Sequence, residues 1–119
     1  MHLIFVYGTL KRGGRNHHHL AEQTFVGPAR TSPGVRLFDL GGFPGLVAQA
    51  ADRDGVSGEV WSVDAECLQR LDDLEGVPEG LYRRAPVALL PPFADRCVDA
   101  YLYLLSVSGR PDVGSVWIG

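Results

Sequence analysis

Glu75 stands where stability alone would not put a carboxylate. It falls in the segment Leu71-Asp72-Asp73-Leu74-Glu75-Gly76, seven residues after Leu68 and four after Leu71, so on a helix it shares their apolar face. The last turn of a helix is also its partly negative end, where a carboxylate is disfavoured by about 0.3–1 kcal/mol. Burial and the helix end both resist ionisation and push the pKa toward neutrality, where one carboxyl group can accept a proton and return it. That is general acid/base chemistry. The same residue types also allow a structural outcome, in which Glu75 pairs with Arg83 or Arg84 or sits in water at a rim. Asp72, at the edge of the apolar face, and Asp73, pointing away from it, read as solvated groups or arginine partners.

A second chemical signal lies near the start of the chain. The apolar run Leu3-Ile4-Phe5-Val6 ends abruptly in Tyr7-Gly8-Thr9-Leu10. A glycine after a strand lets the backbone approach a ligand closely, and successive free N–H groups at such a turn form a concavity for a carboxylate or a developing oxyanion. An ordinary turn is the competing reading. The loop lacks both the GxGxxG dinucleotide pattern and the Lys-Ser/Thr ending of a P-loop, which argues against nucleotide binding. Three adjacent histidines, His17-His18-His19, point in different directions on a helix or loop and cannot converge on one ion, so no metal site is expected. Cys67 and Cys97 are too far apart for a CxxC motif and are expected as two buried, reduced thiols.

These residues need elements to hold them. Glycine (15) and proline (8) fall between short apolar runs, which is how strands and turns are punctuated. Strands are expected at Leu3 to Tyr7, Thr24 to Ala29, Val35 to Leu40, Gly45 to Gln49, Val56 to Val63, Tyr82 to Leu90 and Cys97 to Leu105. Asp64 to Glu75 is the strong helix, with Asp64 as N-cap, a Leu68, Leu71, Leu74 stripe and Gly76 as the residue that stops it. A short helix over Asn16 to Gln23, capped by Asn16, is the weaker one, and Pro91-Pro92 marks a break between strands. With 119 residues the chain is expected to form a single domain over residues 1–119, a closed sheet with one main helix packed on it.

Composition narrows the function classes. The net charge is −3, and ten of the eleven basic residues are arginines scattered without a long run, so there is no electrostatic footprint for nucleic acid. The run Leu3 to Val6 is shorter than the apolar core of a signal peptide, about 7–15 residues, and no stretch approaches the roughly 20 apolar residues of a membrane helix. A soluble, cytoplasmic protein with no membrane partner is the expectation.

Taken together, Tyr7-Gly8-Thr9-Leu10-Lys11-Arg12-Gly13, Asn16-His17 and Leu71-Asp72-Asp73-Leu74-Glu75-Gly76 resemble the gamma-glutamylcyclotransferase-like family, and within it the small gamma-glutamylamine cyclotransferases. Gly58-Glu59-Val60-Trp61, Tyr82-Arg83 and Tyr101-Leu102-Tyr103 match in order and spacing, so the resemblance covers most of the chain. It implies an α+β fold, a compact and mostly antiparallel β-barrel with flanking helices, around a cavity for a gamma-glutamyl group. It also implies a substrate-binding loop at Tyr7, Gly8, Thr9 and Leu10 and a proton-accepting glutamate at Glu75. Tyr103 is a candidate for lining the pocket. The segment Val113-Gly114-Ser115-Val116-Trp117 departs from the family's glycine-tryptophan closure, so Trp117 is not carried over as a pocket residue.

The implied reaction releases 5-oxoproline from a gamma-glutamyl amine, amino acid or peptide. The substrate's own α-amine attacks its γ-carbonyl, so the protein needs no serine or cysteine nucleophile, no metal and no cofactor. A binding module that keeps the cavity without catalysis remains the alternative, and amide hydrolysis on another substrate a weaker one. The identity of the leaving amine and the oligomeric state are not written in the sequence.

Overall fold

The computed structural model describes residues 1–118. Its centre is β1 (His2–Val6), whose continuous apolar run is explained by burial on both faces. Ile4 and Val6 join a core with Leu68 and Leu71, whereas Phe5 joins a second core with Leu37, Leu46 and Val60. β5 (Ser57–Val63) runs antiparallel to β1 from His2 opposite Val63 to Val6 opposite Glu59, and β2 (Thr24–Arg30) covers the other edge of β5, with a register shift between Phe25 and Gly27.

β7 (Asp99–Tyr103) organises the rest. β6 (Tyr82–Pro86) occupies one edge of it along all five residues. The other edge is shared: β1 meets it in parallel at Ile4 and Asp99, and β4 (Pro44–Ala48) meets it in parallel at Leu46 and Leu102. β4 pairs with β3 (Val35–Asp39), and β3 with the three-residue β8 (Asp112–Gly114). The Ser57 N–H donates to the Ser115 carbonyl at 2.8 Å, which ties the β8 end back to β5 and closes a barrel in the order β5, β1, β7, β4, β3, β8. The expected α+β barrel is therefore present as a mixed sheet, with two parallel junctions in an otherwise antiparallel ring.

Helix α1 (Ala65–Leu74) begins as its sequence dictates, since the Asp64 side chain accepts from the Cys67 N–H at 2.7 Å. Cys67, Leu68 and Leu71 are buried, but Leu74 is 43% exposed, because the helix end carries it past the edge of the sheet-facing core. Several expectations need correction. Residues 16–23 form only a four-residue 3-10 turn, His17–Leu20, and Asn16 makes no side-chain cap; its amide is drawn instead to Thr9 Oγ1 at 3.0 Å. β6 stops at Pro86 rather than Leu90, and the residues beyond it switch partner to the end of β2 through a bridge between Thr31 and Leu89. β7 is shorter than expected at both ends. Cys67 is buried, but Cys97 is exposed just before β7.

Candidate active site

The end of α1 is a Schellman motif: the Val77 N–H reaches the Asp72 carbonyl at 3.0 Å and the Gly76 N–H the Asp73 carbonyl at 3.1 Å. Gly76 adopts φ +70°, a conformation that other residues take only under strain. This tight stop places Glu75 at the C-cap, with its N–H on the Leu71 carbonyl at 2.9 Å and its side chain turned to a pocket. Among the described residues no donor or cation reaches the Glu75 carboxylate. The two arginines named as its candidate partners are elsewhere. Arg84 donates to Asp72 at 2.9 Å and to Asp99 at 3.0 Å, and Arg83 is exposed. Burial without a counter-ion pushes the Glu75 pKa up to about 7.

Three phenols supply that burial, and each has its proton committed to another acceptor. Tyr7 donates to the Tyr101 carbonyl at 2.6 Å, Tyr82 to the Pro44 carbonyl at 3.0 Å, and Tyr101 to Asp72 Oδ1 at 2.7 Å. Burial raises the pKa of all three, and the nearby Glu75 charge raises it further, so the phenols stay protonated at neutral pH. Asp72 is the hub of the wall. Burial pushes its carboxyl up, but the donors Arg84 and Tyr101 outweigh this and hold it below the usual range.

The loop after β1 faces this wall. Three of its carbonyls have partners: Gly8 accepts from the Lys11 N–H at 3.1 Å, Thr9 from the Asn16 N–H at 3.0 Å, and Leu10 lies 2.9 Å from His17 Nδ1. The N–H groups of Gly8, Thr9 and Leu10 donate to no acceptor among the described residues. From Gly8 to Leu10 the loop therefore has unpaired donors and partnered carbonyls, a polarity suited to an anion or an oxyanion. Gly8 is buried against Pro44, and a Cβ there would lie 2.5 Å from Pro44 Cγ. Glu59 anchors the far end of the loop. It accepts from the Arg12 N–H at 3.1 Å, Arg12 Nε at 3.0 Å and Trp61 Nε1 at 3.1 Å, while the Arg12 guanidinium lies 3.8 Å over the Phe25 ring.

Between wall and loop lies a small pocket that opens to solvent. Tyr7, Gly8, Thr9, Leu10 and Glu75 all line it, joined by Phe43, Pro44, Tyr82 and Tyr101. Tyr103 does not reach this lining; it stacks edge-on behind Tyr82, ring centroids 5.2 Å apart. In the Tyr101-Leu102-Tyr103 strand only alternation was legible, and it could not say which tyrosine faces the cavity. Glu59 was also missed as the loop's anchor, although an acidic residue inside the apolar run Val56 to Val63 was a signal. Of the three histidines expected to point in different directions only His17 stands apart, edge-on to Trp61; the His18 and His19 rings lie against each other, centroids 4.2 Å apart. No helix among the described residues is long and apolar enough to cross a membrane.

Known proteins resemble this chain in sequence and fold. Residues 4–117 match the model of the family described as gamma-glutamyl cyclotransferase, AIG2-like. The chain is 47% identical over 83 residues to a Vibrio cholerae protein provisionally named a gamma-glutamylcyclotransferase, covering 70% of this chain and 69% of that one. It is 36% identical over 121 residues to the Homo sapiens gamma-glutamylaminecyclotransferase, covering 87% and 78%. Among solved structures, an AIG2-like protein from Mus musculus superposes with a TM-score of 0.70 at 32% identity, over 89% of this chain and 78% of the other. With the match running from β1 to beyond β8, this chain belongs to the gamma-glutamyl cyclotransferase, AIG2-like family.

Proposed function

We propose that the protein cyclises a gamma-glutamyl amide, releasing 5-oxoproline and a free amine, with Glu75 carrying the proton between them. The observation that carries this reading is a buried carboxylate without a counter-ion, poised near pH 7, on the wall of a pocket whose other side offers three unpaired N–H donors. The substrate's α-amine attacks its own γ-carbonyl and forms the lactam C–N bond. Glu75 takes the proton that the attacking nitrogen loses. The N–H groups of Gly8, Thr9 and Leu10 hold the substrate or the negative charge that develops on the carbonyl oxygen. As the original amide C–N bond breaks, Glu75 returns the proton to the departing nitrogen, and no water is consumed.

The Tyr7, Tyr82 and Tyr101 rings keep solvent from the carboxylate, which preserves its raised pKa and makes both transfers accessible at neutral pH. The direct test incubates the protein with a panel of gamma-glutamyl compounds and follows products by mass. Stoichiometric 5-oxoproline supports cyclisation. Release of free glutamate instead would convert the reading to hydrolysis, and tight binding without turnover to a binding module.

A further inference from the structure

We propose that Asp72 is a positioning residue for the reaction, holding the Glu75 turn in fixed register with the Gly8 loop through Tyr101 and Tyr7. This rests on the cyclotransferase reading above. Glu75 has no partner of its own among the described residues, so its place is set by the turn that carries it. That turn has little apolar packing: Leu71 is the last buried residue of α1, and Leu74 is exposed. Asp72 lies between them and holds the turn in two ways. Its main-chain carbonyl accepts the Val77 N–H at 3.0 Å, which closes the stop after Glu75. Its carboxylate accepts from the Tyr101 hydroxyl at 2.7 Å and from Arg84 Nε and Nη2 at 2.9 and 3.2 Å. Tyr101 and Arg84 stand opposite each other on β7 and β6, and cross-strand partners project from the same face of a sheet, so both reach one carboxylate.

Tyr101 carries the constraint across the pocket. Its ring lines the cavity with Glu75, its hydroxyl is committed to Asp72, and its main-chain carbonyl accepts the Tyr7 phenol at 2.6 Å. Tyr7 is followed directly by Gly8, where the unpaired N–H donors begin. Two hydrogen bonds in series therefore join the helix end that bears the base to the loop that receives the oxyanion. Arg84 steadies the head of this chain through Asp99 at 3.0 Å without belonging to it. The ionisable groups that face Glu75 are Tyr7 from β1, Tyr82 from β6 and Tyr101 from β7, all protonated at neutral pH. No charge among them can pull the carboxylate into place, and the hydrogen-bonded chain does so instead.

The experiment measures kcat, KM and the pH profile of 5-oxoproline release for the wild type, Tyr101→Phe, Asp72→Asn and Asp99→Asn, with urea midpoints alongside. Tyr101→Phe keeps the ring, changes no charge at neutral pH and breaks only the link to Asp72. A reacting group misplaced by about 1 Å can cost about 10²-fold in rate, so kcat should fall about tenfold or more in Tyr101→Phe and Asp72→Asn, with KM held within about threefold. The acid limb of kcat/KM in Tyr101→Phe should also move down from about 7, because a loosened wall admits water to Glu75. Asp99→Asn removes the other partner of Arg84 and spares the chain, so its kcat should stay within about threefold of the wild type. Unchanged kcat and acid limb in a folded Tyr101→Phe protein overturns the positioning role and leaves Asp72 a stabilising ion pair, and this variant decides even where Asp72→Asn does not fold. Equal losses of kcat in Asp72→Asn and Asp99→Asn also overturn it, since the effect would follow stability alone. Either result leaves cyclisation standing; a wild-type protein that yields no 5-oxoproline from any gamma-glutamyl compound removes both readings.

Discussion

Two glutamates on either side of the Gly8 loop, Glu59 buried and Glu75 half-buried, have opposite fates. Glu59 sits behind the loop at 8% exposure, yet three donors hold its pKa below the usual carboxylate range against the upward push of burial. Glu75 sits in front of it with burial alone, and its pKa climbs to about 7. The same side chain becomes an anchor where hydrogen bonds accompany its burial and an acid/base where they are withheld. Asp72, three residues before Glu75 on the same helix end, sides with Glu59. What separates structure from chemistry here is the supply of donors: Glu59 and Asp72 have them and Glu75 has none among the described residues.

Removing the carboxylate on each side should break the comparison in different ways. Glu75→Gln is expected to lower turnover by about 10²–10⁴ while the protein still binds its substrate, measured by kcat and by the affinity for a non-cyclising analogue. The same variant should be the more stable one at pH 8. Glu75 is neutral in both states well below pH 4.5, the unfolded chain ionises first between about 4.5 and 7, and wild-type stability therefore falls across that window. The full penalty above pH 7 is on the order of 3 kcal/mol, which urea unfolding of both proteins at pH 4 and pH 8 would reveal. A variant with near-wild-type turnover would remove Glu75 from the mechanism.

Glu59→Leu should do the reverse and destabilise the fold at neutral pH. It strands the Trp61 indole N–H and the Arg12 backbone N–H, at a cost of about 2–4 kcal/mol in the denaturant midpoint analysis. In the loop between the two glutamates, Gly8→Val should weaken binding of a non-cyclising gamma-glutamyl analogue by about tenfold or more, because its Cβ is driven into Pro44. Thr9→Ala keeps every backbone donor and loses only the Asn16 bond, worth about 0.5–1.5 kcal/mol of stability, so its affinity should fall far less. Wild-type affinity in a folded Gly8→Val protein would mean an ordinary turn. The subtlest effect is in the pH profile, where the acid limb of kcat/KM should lie near 7 rather than at the usual value of about 4.3.

The elements were legible where local chemistry dictates them. The Asp64 cap, the Gly76 stop and the apolar runs of β1 and β5 each have a short-range cause, and the structure follows them. β8 was not foreseen, because Asp112-Val113-Gly114 shows no alternation and exists only by pairing with β3. Asn16 was misread because its long-range partner, Thr9, outcompetes the local cap. At the site, helix periodicity alone turned Glu75 toward the core, but its isolation from Arg83 and Arg84 depends on where Asp72 and Asp99 fall in space. Strand order and register, on which the Tyr82 and Tyr101 walls depend, are contacts between residues far apart in sequence, and no local pattern encodes them.

The shared edge of β7 has a mechanical consequence. β1 and β4 each touch β7 at a single parallel position, and beside them the Tyr7 phenol donates to the Tyr101 carbonyl at 2.6 Å. A side chain does there what a ladder of backbone bonds does elsewhere in the barrel. The compliant seam of the sheet thus runs along the wall of the cavity. Each of β1 and β4 keeps a full antiparallel neighbour, β5 and β3, and β7 keeps β6, so the pairing at this seam is the sparsest along the cavity wall.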